Sequence, residues 1–472
     1  SLRFLLILPS FRFASFRLLL GEMNKSRNGA SRNDGLDTKL VDGLIREKTL
    51  NLTMKHFIIA LFFSFGISVT IYAQGNWPIF HGPNGDNKSP ETGLLQSWPE
   101  GGPKLLWTVD FLGSGYSGVS IADGRIYISG NDQENEQSVA MLYCLDEKTG
   151  KLLWKSSNGP AWDNPRQYPS TRATVTIDGD FVYDESAHGE VGCFEAKTGK
   201  KIWSRNIAKE YETRMPMWGL AESVAIDGDR LICSPGGTKA SVVALDRKTG
   251  KTVWEAEPHG FRPSYATPYF FTFEGRRIVA ILTDKTVMGL DPKDGTILFT
   301  FPHTNKLTTN VTMPIYHDGH LFMSTGYGEG ARLWKLAKDS SGKIMPEEVW
   351  YEKTFDNHHG GIILVGDTVY GTTHNGGGGV WIAVDFQTGK VGYTQRNVGQ
   401  GSIHYADGLI YGLSEKNRTV ILLKPDPKEY VERGRFQLPN DADGMSWAHP
   451  VVSGGRLYLR HAQFLYCYDV KE

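Results

Sequence analysis

The sequence predicts an all-β fold: an eight-bladed β-propeller of four-stranded antiparallel blades, with the N-terminal strand completing the last blade. Three observations lead there. First, a phrase recurs. Residues 144–154 read Cys-Leu-Asp-Glu-Lys-Thr-Gly-Lys-Leu-Leu-Trp, 193–203 and 244–254 repeat the pattern, and 289–299 and 383–393 are weaker copies. A period of about 45–50 residues marks a repeat architecture in which each unit buries its faces against its neighbours. Second, eight turn pairs separate short apolar runs: Asp123-Gly124, Asp178-Gly179, Asp227-Gly228, Glu274-Gly275, Asp318-Gly319, Gly366-Asp367, Asp407-Gly408 and Gly454-Gly455. Such pairs are hairpin signals because Gly, and to a lesser degree Asp, accept positive φ. Third, eight strand-ending aromatics match them: Trp107, Trp154, Trp203, Trp254, Phe299, Trp350, Tyr393 and Phe436. Trp107 precedes the first hairpin, and no counterpart follows the last. A ring resolves that offset, because the strand around Trp107 then pairs with the C-terminal end and no sheet edge stays open between first and last blade.

Composition fits this architecture. Hydrophobic residues make up 40% of the chain and aromatics 12%, enough for a large core, and 54 glycines serve many tight turns. With 51 basic and 52 acidic residues the formal charge is -1, which argues against a nucleic-acid partner.

The chain divides in order. Residues 1–53 lack periodicity and read as a spurious or disordered extension. Residues 54–73 have a basic start, an apolar core and a small residue, Ala73, before Gln74, the pattern of an export signal. Cleavage there predicts a periplasmic or cell-surface protein. If the segment is retained, it would instead be a membrane anchor. Residues 74–104 form an irregular Pro/Gly-punctuated arm whose Trp77, Phe80 and Trp98 call for burial against the propeller. The propeller occupies 105–472.

The repeated phrase is similar to the tryptophan-docking repeat of pyrroloquinoline-quinone (PQQ) type propellers. That superfamily contains quinoprotein alcohol dehydrogenases and the outer-membrane protein assembly factor B. The version here resembles exported PQQ-like propeller repeat proteins, sharing the arm Trp77-Pro78-x-Phe80-x-Gly82-Pro83, the segment 357–361 (Asn-His-His-Gly-Gly) and the ending Trp447-x-His449-Pro450-Val451-Val452. The resemblance covers 75–472. It implies that Trp107, Trp154, Trp203, Trp254 and Trp350 dock between blades and are structural. Cys144, Cys193 and Cys467 share one repeat position on different blades, so free thiols are expected there in preference to bridges, and Cys233 lies on another strand.

In a propeller, the residues leading into the innermost strands converge on one funnel. Here they include Tyr116, Arg172, Trp218, Glu222, His358, His359, Trp447 and His449, with Ser117, Tyr265, Thr267, Asn310, Thr312, Gln400 and Ser402. A polar and aromatic mixture of this kind suits a ligand pocket. His358 and His359, adjacent on a strand, are expected to face opposite ways. Glu222 and Arg172 are candidates for a structural ion pair. No metal-ligand spacing is present; residues 375–379 lack the Lys-Ser/Thr of a phosphate loop, and 441–444 lack the distal Glu of a calcium loop. The favoured reading is an exported propeller acting as a ligand-binding or protein-interaction scaffold, with a small molecule or a protein as partner. The alternatives are a PQQ- and calcium-dependent alcohol dehydrogenase-like quinoprotein, an assembly factor B-like protein and a carbohydrate-binding protein. The dehydrogenase is weakened by the lack of vicinal cysteines and of an Asp among the funnel positions. The assembly factor is weakened by the lack of a lipid-attachment Cys after the signal.

Overall fold

The computed structural model describes residues 75–164, 168–374, 379–396, 398–439 and 442–472. The expected extension (1–53) and export signal (54–73), most of the Gly-rich turn (375–378) and Asp441 lie outside the described residues.

The described strands form eight sheets, one per predicted blade. Seven blades follow one another along the chain, over 120–160, 176–206, 225–255, 269–302, 315–352, 362–395 and 401–437. The eighth combines three C-terminal strands, Val451–Ser453, Arg456–His461 and Phe464–Asp469, with Lys104–Val109 from the N-terminal side. Trp107 pairs with Cys467 in that antiparallel seam, so the chain fastens its own start to its end. One blade departs from the four-stranded expectation. Lys88–Ser89 of the arm pairs parallel with Gly401–Ala406 and makes a fifth strand there.

Each blade's first hairpin falls where the turn pairs predict, with one refinement. Where Gly comes second, as in Asp123-Gly124 or Asp407-Gly408, both residues have positive φ, as a type I′ turn requires. In two blades the strands end one residue later than expected, placing Gly179-Asp180 and Gly228-Asp229 in the turn. There only the glycine has positive φ, as in type II′.

The third and fourth strands of all eight blades show a register shift at one equivalent place. In seven blades the docking aromatic sits beside it; in the seventh blade that place is Gly434, covered by Trp98 of the arm, and the expected Phe436 lies two residues further on. A bulge swings the side chain out of strict alternation. It turns the indole toward the next blade, where Trp107, Trp154, Trp203, Trp254 and Trp350 lie on the turn glycines Gly150, Gly199, Gly250, Gly295 and Gly389. The Trp154, Trp203, Trp254 and Trp350 N–H groups donate to carbonyls of Ala196, Arg247, Pro292 and Phe386, at 3.0–3.1 Å. The glycine is obligatory on two counts. Gly250 has φ +70°, and a Cβ there would sit 2.8 Å from the Trp203 ring. Gly250→Ala is therefore expected to cost about 2 kcal/mol from strain and overpacking together, read as a lower urea midpoint at unchanged slope. These indoles are partly exposed except Trp254, so they tie blades together at the rim and do not form the centre of the core.

The turn itself is built by its Asp. In the first blade Asp146 Oδ1 accepts the Thr149 N–H at 2.8 Å, and the Gly150 N–H donates to the Asp146 carbonyl. All four cysteines are buried free thiols.

At the centre, the arm gives backbone partners to the first strands of the first, second and seventh blades. Hydroxyls also link the segments leading into neighbouring first strands sideways. Gly118 N–H donates to Thr174 Oγ1, Thr174 N–H to Ser223 Oγ, and Ser223 N–H to Thr267 Oγ1. Across the ring, Ser402 Oγ donates to the Ala448 carbonyl. The arm then packs against these first strands. Trp77 exchanges two backbone bonds with Ile121, and its indole rests on Gly82, whose φ of +77° shapes the Trp-Pro-x-Phe-x-Gly turn. Further along, Asn87 bonds Ile403 and His404, Glu91 accepts the Gly454 and Gly455 N–H groups, and Leu94 N–H donates to Asp407.

Candidate functional site

The funnel is a cavity of about 640 Å³, whose lining includes Phe80 and His81 of the arm. This is the size of pockets that enclose small organic ligands. Of the residues expected there, Tyr116, Arg172, Trp218, Tyr265, Thr267, Thr312, His358, His359, Gln400, Trp447 and His449 line it. Glu222, Ser117, Asn310 and Ser402 do not. Their neighbours explain why. Ala221 and Ser223 face the cavity, so alternation along an extended segment turns Glu222 away.

Glu222 is buried between the second and third blades, where its carboxylate accepts the Ser234 N–H at 2.5 Å. The expected Arg172 pairing gives way to this arrangement. Burial raises its pKa to about 7, and its neighbour Glu185 is also raised, by burial first and then by the charges of Glu222 and Asp184. Arg172 donates to the carbonyls of Ser170 and Tyr168. Burial lowers its pKa to about 10, leaving it a cation at neutral pH.

His358 and His359 both reach the cavity, against the expectation of opposite faces. They precede the strand Ile362–Val365 and lie in an irregular turn, so strand alternation does not govern them. Their Nδ1 atoms are 2.9 Å apart, one donating to the other. The hydrogen bonds fix two further tautomers. His449 Nε2 is 2.8 Å from the His359 carbonyl and must donate to it, so in the neutral ring Nδ1 is the acceptor. His81 Nε2–H therefore donates to His449 Nδ1, at 3.1 Å. Burial holds the His359 and His449 pKa values down to about 3 and about 4, and lowers His81 and His358 as well. These imidazoles are neutral hydrogen-bonding groups at pH 7.

Trp447 is the hub of the aromatic wall. His359 stacks on it at 4.2 Å between centroids, and the rings of Tyr116 and Tyr168 approach to 4.6 and 4.9 Å. Sequence reasoning missed Tyr327, His374, Glu415, Lys416 and Asn417, which come from connections between second and third strands. The topology contains the signal: a first strand leaving the funnel and a second strand returning to it place the next turn back at the mouth.

A quinone–calcium pair would need several carboxylate and amide oxygens converging in the cavity. Glu415 is the lone carboxylate among the lining residues, and it already accepts from Gln400 Nε2 at 2.6 Å. Among the described residues no three His, Cys, Asp or Glu side chains are grouped to hold a metal. The residues present do not fit that cofactor set.

Comparison with known proteins gives three findings. A family model described as outer membrane protein assembly factor BamB matches residues 92–220 and 135–395. BamB from Moraxella catarrhalis superimposes with a TM-score of 0.54 at 15% identity, covering 78% of this chain and 98% of that one. Quinohemoprotein alcohol dehydrogenases align similarly: the Comamonas testosteroni enzyme has a TM-score of 0.59 at 12% identity, over 85% and 82% of the two chains. ADHIIG from Pseudomonas putida HK5 has 0.58 at 13%, over 84% and 81%. At such identities the structural likeness shows the fold alone. No curated protein matches the sequence significantly.

Proposed function

We propose, on the premise that this chain belongs to the PQQ-propeller family described as outer membrane protein assembly factor BamB, that it is a non-catalytic binding propeller holding a small ligand in its funnel. The observation that carries this reading is the cup itself. A cavity of about 640 Å³ has aromatic walls and neutral imidazoles at His81, His358, His359 and His449, and the protein's own arm supplies Phe80 and His81 to its lining. A few oriented polar groups in an aromatic enclosure make a recognition site. Among the described residues no carboxylate set converges to supply the oxygen ligands that a calcium-dependent dehydrogenase requires.

Export fits this role. The segment 54–73 reads as a signal, and among the described residues no helix is long and apolar enough to cross a membrane. A second reading, docking of a protein at the funnel mouth, draws on Met217, Leu307 and Tyr168. These apolar or aromatic side chains are 60%, 47% and 44% exposed beside lining residues.

The test is a panel of sugars, organic acids and quinones screened by intrinsic tryptophan fluorescence, with Trp447 and Trp218 as reporters. At least one compound is expected to give saturable binding, lost in Trp447→Ala with unchanged circular dichroism. Adding PQQ and calcium is expected to give no dye-coupled alcohol oxidation. A panel with no binder, or turnover with bound quinone, overturns the proposal.

A further inference from the structure

We infer that the protein carries a second binding site outside the funnel, a surface groove between the last and first blades that takes a neutral pyranose of an oligosaccharide. This goes beyond the funnel reading and does not depend on it.

The groove has a volume of about 550 Å³. The first blade creates it. Its second and third strands, Arg125–Glu134 and Gln137–Asp146, are ten residues each, whereas those of the other blades run from four to nine. The long ribbon ends in Asn135-Glu136, both at positive φ as in a type I′ turn. Across from it lie the segment leaving the closing strand Lys104–Val109 and Gln463, in the turn between the second and third strands of the last blade. Backbone contacts hold the two sides together. The Asn131 N–H donates to the Leu112 carbonyl at 3.1 Å, and the Tyr143 hydroxyl to the Asn131 carbonyl at 3.0 Å. Gly113 and Gly130 permit this approach, since a Cβ on them would lie 2.2 and 2.0 Å from the opposing carbonyl oxygens.

The lining is amphiphilic. Phe111 is 43% exposed, its ring 6.1 Å from that of the buried Tyr143. A ring held this way offers a flat apolar face. Around it stand the carboxamides of Asn131, Gln133 and Gln463 and the hydroxyls of Ser114 and Ser138. Carboxamides and hydroxyls both donate and accept, as the hydroxyls of a sugar do.

The charges select against other classes. Asp132 is paired with Lys155 at 2.5 Å, and Asp110 is exposed, as are Glu134 and Glu136 beside the groove. Arg460 lies beneath, 2% exposed, and donates to neutral oxygens that include the Gly113 carbonyl. None of the lining residues is basic, so an anion meets carboxylates there. A cation gains little from carboxylates that stay solvated. A wholly apolar ligand would strip water from the carboxamides and replace none of its hydrogen bonds. A neutral pyranose lays its C–H face on Phe111 and pairs its hydroxyls with the polar rim.

The experiment is calorimetric titration of the protein with the neutral tetrasaccharides cellotetraose, maltotetraose, mannotetraose and xylotetraose, beside anionic tetragalacturonate and the cationic glucosamine tetramer. At least one neutral probe is expected to bind with a Kd of about 1 mM or tighter, unchanged by added salt because no ligand charge is screened. Phe111→Ala should weaken it about ten-fold, the worth of one aromatic contact, and Phe111→Tyr, which keeps the ring, should retain it. Gln133→Ala combined with Gln463→Ala reads the same groove if Phe111→Ala alters the circular dichroism, and is expected to weaken the probe several-fold. The inference is overturned if no neutral tetrasaccharide binds, if a charged probe binds tighter than every neutral one, or if affinity falls as salt rises. It is also overturned if the folded groove variants bind like wild type. Ser114 in the groove is two residues from Tyr116 in the funnel, and that last outcome would place the sugar in the funnel, supporting the funnel reading while ending this one.

Discussion

Arg460→Ala is expected to lower the stability of the propeller by about 3–5 kcal/mol, from the void left by a large buried side chain and the neutral oxygens it leaves unpaired. Arg460 is 2% exposed, at the end of the second strand of the last blade. Its Nη1 reaches across to the first blade and donates to Ser117 Oγ and the Ser129 carbonyl, both at 2.6 Å. Its Nε donates to the Ala462 carbonyl at 3.2 Å, and Gly115 packs directly on the guanidinium. Burial lowers its pKa to about 9, so the charge persists at neutral pH. Truncation leaves a void and strands carbonyls that water cannot reach, and each penalty is separately costly.

The position magnifies the effect. The last and first blades are not consecutive in the chain; they are joined by the strand Lys104–Val109 and by contacts such as these. Denaturant unfolding should show the loss as a lower midpoint. Arg460→Lys should recover little, since one ammonium cannot serve oxygens on both blades. A loss below about 1 kcal/mol for the Ala variant would contradict this account.

Why the ring was legible and parts of the cup were not has a physical basis. Hairpin glycines and docking tryptophans impose local conditions, positive φ and a bulged strand, that recur in every blade and therefore show as a repeat. Trp107 without a hairpin before it was enough to predict closure. The cup wall depends on which residues of irregular segments turn inward. Where those segments are extended the rule of two holds, and it would have removed Glu222, flanked by the inward Ala221 and Ser223. Where they coil, as at His358-His359, it fails. The arm's part of the lining could not be read locally at all. His81 meets His449 across a separation of 368 residues, and nothing near either residue announces the contact. Long-range placement of this kind follows from the assembled ring.

The second large effect concerns pH. Stability contributed by Glu222 is expected to be fully present below about pH 4.5 and to be lost as pH rises through about 7. The sign follows from proton binding. The unfolded Glu ionises at its ordinary value of 4.5, while burial raises the folded carboxyl to about 7, so between these values the folded state holds a proton that the unfolded state has released. The gap corresponds to about 3 kcal/mol. Glu185 acts in the same direction: both of its carboxylate oxygens are buried without hydrogen-bond partners, and Asp184 beside it is raised to about 6 by burial.

The buried imidazoles oppose this trend. His359, His404 and His449 are held down to about 3, 3 and 4, so their contribution is lost as pH falls from 6.5 toward those values. The wild-type stability curve is therefore a sum of opposed slopes, and the difference between wild type and Glu222→Gln removes the imidazole slopes and reads the Glu222 carboxyl together with its coupling to Glu185. The amide oxygen of Gln can still accept the Ser234 N–H, and Gln does not titrate. Relative to wild type, Glu222→Gln should gain about 3 kcal/mol in stability between pH 4.5 and pH 8. Urea midpoints across that range read the gain directly. A difference that stays flat with pH would mean that Glu222 keeps its ordinary ionisation inside the fold.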